Sequence, residues 1–287
     1  MGTLLILLGI LSHQGEGMLV KHYGKKFGSG GMLFNAVICL FSMLFFILTD
    51  KNGFNFPPML LVFGLVSCLM YAAGFGFMYL ALQCGSYALT RLIASLSGII
   101  SILYGIIFLK EPANALTCLA IFLVFLSVIL MNYQGKAKDD TKGFSLKWLI
   151  FVLITAVSNG LIAVLTRMQQ LYFNDACSNE FKILSLGGAC IALLIISIFT
   201  DRGRFRETLR HGTLYGTLAG LLNGVNNYVS MVVYLFIPIS MVTSLRTGLE
   251  ILASFAVSVL IYREKFTRQQ VISAIIGIAA LILLQFA

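Results

Sequence analysis

Residues 59–82 read MLLVFGLVSCLMYAAGFGFMYLAL and contain no charged side chain. A helix needs about 20 mainly apolar residues to cross the roughly 30 Å hydrocarbon layer of a bilayer. A transmembrane β-strand is shorter and alternates in polarity, whereas this run is continuous and rich in Leu and Phe. The stretch therefore predicts a transmembrane helix.

Runs of the same kind recur along the whole chain, in which 59% of residues are hydrophobic and 11% are charged. Soluble domains carry roughly 25% charged residues, so this composition excludes a soluble protein. We predict an all-α membrane protein with ten transmembrane helices, at residues 3–20, 32–49, 59–82, 86–109, 114–132, 147–168, 181–199, 212–235, 238–261 and 269–286.

A polar linker divides the ten predicted spans into two groups of five. The strongly polar sequence QGKAKDDTKG begins at Gln134, and we assign residues 134–146 to the linker. The two units are then residues 1–133 and residues 147–287. Because five is odd, a repeated five-helix unit lies upside down relative to its copy, as in many secondary transporters. We therefore predict two inverted five-helix repeats.

Weak internal similarities support the repeat. Glu111 matches Glu264 at an offset of 153 residues, and Arg91 matches Arg246 at an offset of 155. The shared order of these matches favours a duplicated unit.

Small residues recur every fourth position in two of the predicted helices. Helix eight has Gly212, Gly216, Gly220 and Gly224, and helix three has Gly64, Cys68, Ala72 and Gly76. Such a stripe lets two helix backbones approach closely within a membrane. We expect both helices to pack centrally.

Two short junctions resemble a known family. The sequences FLKEP at 108–112 and YREKFT at 262–267 resemble the glutamate-containing junction of EamA-type members of the drug/metabolite transporter superfamily. The family's glycines in the following helix are replaced here, by Ala120 and Ser127 in the first copy and by Ser273 and Ala280 in the second. The resemblance implies a multi-pass transporter of the inner or plasma membrane. We assign Glu111 and Glu264 a structural role, since a carboxylate complements the free amides at a helix start.

Ionisable residues within membrane spans are candidates for function because a charge at mid-bilayer costs about 2.5–3.5 kcal/mol on insertion scales. His13 and Glu16 lie three residues apart on one face of helix one. They suit proton binding and release during transport. The alternative is that Glu16 pairs with a neighbouring cation and only fixes helix packing.

Two arginines occupy matching positions in helices four and nine. We predict Arg91, Arg246 and Glu250 as substrate-binding residues. The arginines suit an anionic or zwitterionic substrate, because a guanidinium group binds a carboxylate or phosphate with two parallel hydrogen bonds. Two alternatives stay open: Arg91 extends to the membrane interface, and Arg246 pairs with Glu250 one turn later.

Helix eight also carries a cluster of amides, and this pattern favours a polar cavity over simple helix-to-helix hydrogen bonds. The predicted cavity residues are Asn223, Asn226, Asn227 and Tyr228 of helix eight, with Tyr71 and Tyr79 of helix three and Asn159 of helix six.

Several functions lack any residue pattern in the chain. There is no phosphate-binding Gly-x-x-x-x-Gly-Lys-Ser/Thr motif, no Ser/His/Asp set and no metal-ligand spacing. We therefore expect no enzyme activity, no catalytic residue, no metal and no cofactor. The net charge of +9 comes from Lys and Arg between the apolar runs, which indicates membrane orientation rather than nucleic-acid binding. The sequence leaves the oligomeric state open, and a monomer is compatible with it.

The charge distribution and the family resemblance predict opposite orientations in the membrane. Connections after odd-numbered helices hold most of the Lys and Arg residues, while the even-numbered ones hold only Lys51, Lys110, Arg167 and Lys182. The positive-inside rule then places both termini outside, whereas the family resemblance places them in the cytoplasm.

The expected function is secondary-active transport of a small polar or anionic metabolite by alternating access, coupled to protons or to exchange. The alternatives are a flippase for a lipid-linked head group and a membrane scaffold or receptor that transports nothing. Substrate identity and transport direction are not readable from these residues.

Overall fold

The computed structural model describes residues 2–27, 31–50, 53–84, 94, 97–111, 114–132, 146–203, 205–260, 272, 275, 276, 279, 280 and 283. Every regular element in these ranges is a helix. Those of the first half are α1 Gly2–Phe27, α2 Gly31–Thr49, α3 Pro58–Cys84, α4 Gly98–Ile107 and α5 Ala115–Asn132. Those of the second half are α6 Leu146–Tyr172, α7 Ser178–Thr200, α8 Thr213–Val233 and α9 Ile239–Leu260. A helical turn and a π-helical turn, Phe205–Glu207 and Thr208–Gly212, precede α8.

Five segments in the described ranges are both long and apolar enough to cross a bilayer. They are Leu4–Gly24, Gly31–Thr49, Pro58–Ala81, Leu146–Tyr172 and Ser178–Thr200. The predicted all-α membrane fold is thus confirmed in its class, while the number of ten spans stays a prediction. Apart from single positions, the predicted span 269–286 and the first part of span 86–109 lie outside the described residues.

The helices of one half pack mainly against those of the other half. Helix α1 packs on α8, as α6 packs on α3; α2 packs on α8, as α7 packs on α3. Helix α1 also contacts α9, as α6 contacts α4. When each of α1–α4 is exchanged with its counterpart among α6–α9, these pairs convert into one another, and the contacts of α2 with α7 and of α4 with α9 stay the same. The contacts between the halves are therefore preserved by the exchange, as expected for a repeated unit.

The glycines of α8 form its contact with α2. A Cβ atom on Gly220 would lie 2.6 Å from the carbonyl oxygen of Ile38, and one on Gly224 would lie 2.8 Å from the Cβ of Phe45. Gly216 likewise faces Val37. The predicted close approach is confirmed, because no larger side chain fits at these positions without movement.

The stripe on α3 makes the matching contact with α7. A Cβ atom on Gly64 would lie 2.8 Å from the Cβ of Leu184, and one on Gly188 of α7 would lie 2.6 Å from the Sγ of Cys68. Cys68 is buried. Both striped helices thus pack on the other half of the chain, as their small residues predict.

Two carboxylates cap helices that belong to the opposite half. Glu111 accepts hydrogen bonds from the backbone N–H groups of Ile239 (2.9 Å) and Ser240 (3.0 Å) at the start of α9. Asp201, which follows α7, accepts one from the N–H of Leu33 (2.8 Å) at the start of α2. The structural role expected for Glu111 is confirmed, but its partner is α9 rather than the helix that follows it in sequence. Glu264 lies outside the described residues.

Candidate functional site

A group of hydrogen-bonded polar side chains lies in the interior between the two halves. It contains Glu16 (α1), Ser42 (α2), Tyr71 (α3), Thr166 (α6), Lys182 (α7), Asn223 and Asn227 (α8). We call these seven side chains the polar network. All except Asn227 are at least nine-tenths buried. Three members come from the first half and four from the second, so the network lies at the contact between the halves.

Lys182 forms one end of the polar network. Its side chain is only 2% exposed, in the second turn of α7. The ammonium group donates hydrogen bonds to Thr166 Oγ1 (2.9 Å), Tyr71 Oη (3.1 Å) and Asn227 Oδ1 (3.4 Å). All three of its N–H groups therefore have neutral oxygen partners, each on a different helix.

The two asparagines connect Lys182 with Glu16. Asn227 Nδ2 donates to Asn223 Oδ1 at 2.9 Å, and Asn223 Nδ2 donates to both carboxylate oxygens of Glu16 at 3.1 Å. Ser42 donates to Asn223 Oδ1 at 2.9 Å. Asn223 and Asn227 lie one helical turn apart on α8, which is why their side chains meet. Along the path from Lys182 through Asn227 and Asn223 to Glu16, each side chain donates a hydrogen bond to the next.

Glu16 forms the other end of the polar network and is 8% exposed. His13 Nδ1 lies 3.7 Å from Glu16 Oε2, on the same face of α1. That separation is beyond a good hydrogen bond. Hence the carboxylate has the Asn223 amide as a direct partner and an imidazole close by.

Arg246 forms a polar contact with α8 that is not hydrogen-bonded to the polar network by any bond described above. Its guanidinium group donates to Asn226 Oδ1 and to Ser230 Oγ. It also borders a partly open recess of about 10 Å³ between α1, α8 and α9, whose other walls are mostly apolar, for example Ile6 and Val229. The structure thus brings Asn226 and Arg246 together beside this recess.

Three other predicted site residues lie outside the polar network. Tyr228 is 39% exposed and its ring meets Phe45 edge to face. Tyr79 packs against the apolar core around α2, α3 and α7. Asn159 is exposed, with its Oδ1 close to Gly74 of α3.

Two further predicted residues are not described at the side-chain level. Arg91 lies outside the described residues, and for Glu250 only the backbone, within α9, is described. The predicted roles of both residues stay predictions.

Sequence reasoning missed three members of the polar network: Ser42, Thr166 and Lys182. The charge count treated Lys182 as part of a connection between helices, and this was wrong, since it lies buried in α7. A signal was available, because Lys182 falls inside the predicted span 181–199, where an ionisable residue is a candidate for function. Serine and threonine give no such signal, because their hydroxyl groups commonly bond to the preceding turn of their own helix.

Comparisons with known proteins give the family and the fold. The model of the EamA-like transporter family matches residues 1–133 and 146–286. A solved structure described as "Crystal structure of protein" superposes with a TM-score of 0.77 at 12% identity, covering 99% of this chain and 96% of that one. At this identity the likeness shows the fold alone. The search of curated proteins gives no match. Because the family model covers both halves, the chain belongs to the EamA-like transporter family.

Proposed function

We propose that this membrane transporter is a secondary-active carrier that moves a small polar or anionic metabolite across the cytoplasmic membrane by alternating access. The observation that carries the proposal is the hydrogen-bonded connection from Lys182 through Asn227 and Asn223 to Glu16. It joins a cation of the second half to a carboxylate of the first half within the interior.

The cost of burial argues for a functional role of these charges. Removing an ion from water costs several kcal/mol after relaxation of the protein, and well-packed apolar residues of similar size are often as stable. Tyr71, Thr166 and Asn227 compensate Lys182 with hydrogen bonds, but they bring no negative charge. A carrier gains from such a group, because a polar cargo needs polar partners in the membrane interior.

The location of the polar network supports alternating access. Its members are divided between the halves, and the contacts between α1–α4 and α6–α9 are preserved when the halves exchange. A relative movement of two such units opens a site at their interface first to one side and then to the other.

Coupling to protons is the second part of the proposal. Glu16 is a buried carboxylate with Asn223 as its hydrogen-bonding partner and His13 nearby. A carboxylate of this kind can bind a proton in one orientation of the carrier and release it in the other. Protonation changes the charge next to Asn223 and therefore the state of the polar network.

Arg246 provides a second candidate contact for an anionic cargo. Its guanidinium group borders the recess between α1, α8 and α9, and its described partners include Asn226 and Ser230. We assign it an accessory role, because the recess has mostly apolar walls whereas the polar network consists of polar side chains from both halves.

Uptake into proteoliposomes tests the proposal. Purified wild-type protein is offered radiolabelled amino acids, nucleosides and sugar phosphates, with and without a pH gradient. We expect uptake of one class, loss of gradient-driven accumulation in Glu16→Gln, and weaker uptake in Arg246→Ala. Lys147→Met is the control, because Lys147 is exposed at the start of α6.

Normal transport by both site variants would contradict the site assignment. Movement of a labelled lipid-linked head group without uptake of any soluble probe would instead favour the flippase. Neither activity in correctly folded protein would favour the scaffold or receptor.

A further inference from the structure

Lys182 has an unusual set of neighbours for a buried ammonium group. Its three hydrogen-bond partners are a phenol, a hydroxyl and an amide oxygen. Within the described residues, no carboxylate lies within ion-pair distance of its Nζ. Glu16, at the other end of the polar network, is separated from it by two amides. The positive charge is therefore hydrogen-bonded but not neutralised by a direct partner.

The three hydrogen bonds of Lys182 are unequal. Thr166 and Tyr71 accept at 2.9 and 3.1 Å, while Asn227 Oδ1 is 3.4 Å away. Asn227 Oδ1 also accepts a bond of 2.6 Å from the hydroxyl group of Tyr71. Loss of the contact with Lys182 therefore leaves this oxygen with a partner. The hydrogen bond from Lys182 to Asn227 is therefore the one that another acceptor replaces at the lowest cost in free energy.

We propose that Lys182 binds the anionic group of the cargo, and that a carboxylate or phosphate oxygen takes the N–H group that Asn227 accepts in this structure. This inference rests on the proposed carrier function and names the chemical class of its substrate. A carboxylate or phosphate oxygen brings a negative charge to the ammonium group, whereas Asn227 offers only a neutral amide oxygen, so Coulomb attraction favours the exchange. The cargo also supplies the negative charge that the surroundings of Lys182 lack.

The role of Asn227 follows from the same geometry. It is a positioning residue that keeps Lys182 hydrogen-bonded before cargo arrives. Through Asn223 it is linked to Glu16. In this proposal, cargo binding at Lys182 and proton binding at Glu16 therefore act on the two ends of one hydrogen-bonded chain.

The test compares probes that carry an anionic group with counterparts that lack it, in the same proteoliposomes. The pairs are leucine with leucinamide, in which an amide replaces the carboxylate, and glucose 6-phosphate with glucose, which lacks the phosphate. Wild-type protein is expected to prefer the member with the anionic group in one pair, and the pair concerned identifies the anion. In Lys182→Met the preference should fall by about 10- to 100-fold, since hydrogen bonds to charged groups contribute about 1.5–3 kcal/mol.

Three further variants separate anion binding from folding. Lys182→Arg keeps the charge and should keep most of the preference, and Lys147→Met should behave as wild type. Asn227→Ala should keep the preference for the anion, because it removes the amide that competes with the cargo for Lys182 and leaves Lys182 itself in place. If Lys182→Met does not fold, Lys182→Gln gives the same comparison with a neutral hydrogen-bonding side chain.

The outcomes are distinguishable from failure of the carrier proposal itself. Absence of uptake of every probe by folded wild-type protein would overturn the carrier function. Uptake with an unchanged preference in Lys182→Met or Lys182→Gln would overturn the role of Lys182 alone. A wild-type preference in both pairs for the member that lacks the anionic group would also overturn the role of Lys182.

Discussion

Replacement of Gly220 by alanine tests the close contact between α2 and α8. The added Cβ atom would lie 2.6 Å from the carbonyl oxygen of Ile38 and 2.8 Å from the Cβ of Phe41. A normal carbon–oxygen contact is about 3.3 Å or longer, so the two backbones must separate by about 0.7 Å at this point. Neither neighbour is the end of a flexible side chain that could turn away.

The expected magnitude is a balance of two effects. Overpacking of a well-packed interior costs about 1–3 kcal/mol, and alanine regains about 1 kcal/mol as a better helix former than glycine. We therefore expect Gly220→Ala to be destabilised by up to about 2 kcal/mol, with a lower melting temperature in detergent. Asn223 lies on the following turn of α8, so uptake should also decline.

Gly24→Ala is the matched control. Gly24 is also in a helix, but no atom within 4 Å faces its Cβ position. Here the alanine should stabilise the protein by about 0.5–1 kcal/mol. Equal changes in melting temperature for the two variants would refute the argument that the glycine stripe fixes the distance between α2 and α8.

Three other substitutions test particular contacts of the structure. Tyr71→Phe removes the hydroxyl that accepts a hydrogen bond from Lys182 and donates one to Asn227. Uptake should fall, and the protein should lose about 1–3 kcal/mol of stability, because two buried polar groups lose a partner. Unchanged uptake would argue against the polar network as the site. Glu111→Ala and Asp201→Ala each remove a cap from a helix of the opposite half. Each should lower the free energy of unfolding by about 0.5–2 kcal/mol, measured by thermal melting. A melting temperature equal to that of wild type in either variant would mean that the corresponding cap does not stabilise the contact between halves.

Local patterns allowed much of the helical framework to be predicted. The apolar runs predict α2, α3 and α6–α9 close to the observed bounds, because membrane-spanning helices need a continuous apolar sequence. Helix α1 instead continues to Phe27, beyond its predicted end at residue 20. The glycine spacing predicts the packing face of α8, since positions four residues apart lie on the same side of a helix. These properties depend only on neighbours in sequence.

Contacts between the halves were harder to predict because they join residues far apart in sequence. The sequence alone does not indicate that Glu111 caps α9, since along the chain it lies just before the start of α5 and far from Ile239. Lys182 looked like an interfacial cation because it lies near the end of an apolar run. Its burial depends on α3, α6 and α8 together.

Access to the polar network from both sides of the membrane tests the carrier proposal most directly. In a variant without the six native cysteines, a cysteine introduced at Asn227 is exposed to a membrane-impermeant thiol reagent from each side of the proteoliposome in turn. We expect reaction from both sides, slowed by a transported probe, and no reaction for a cysteine at Leu193, which is fully buried in the apolar core. Reaction at position 227 from one side only, or from neither, would contradict alternating access at this site.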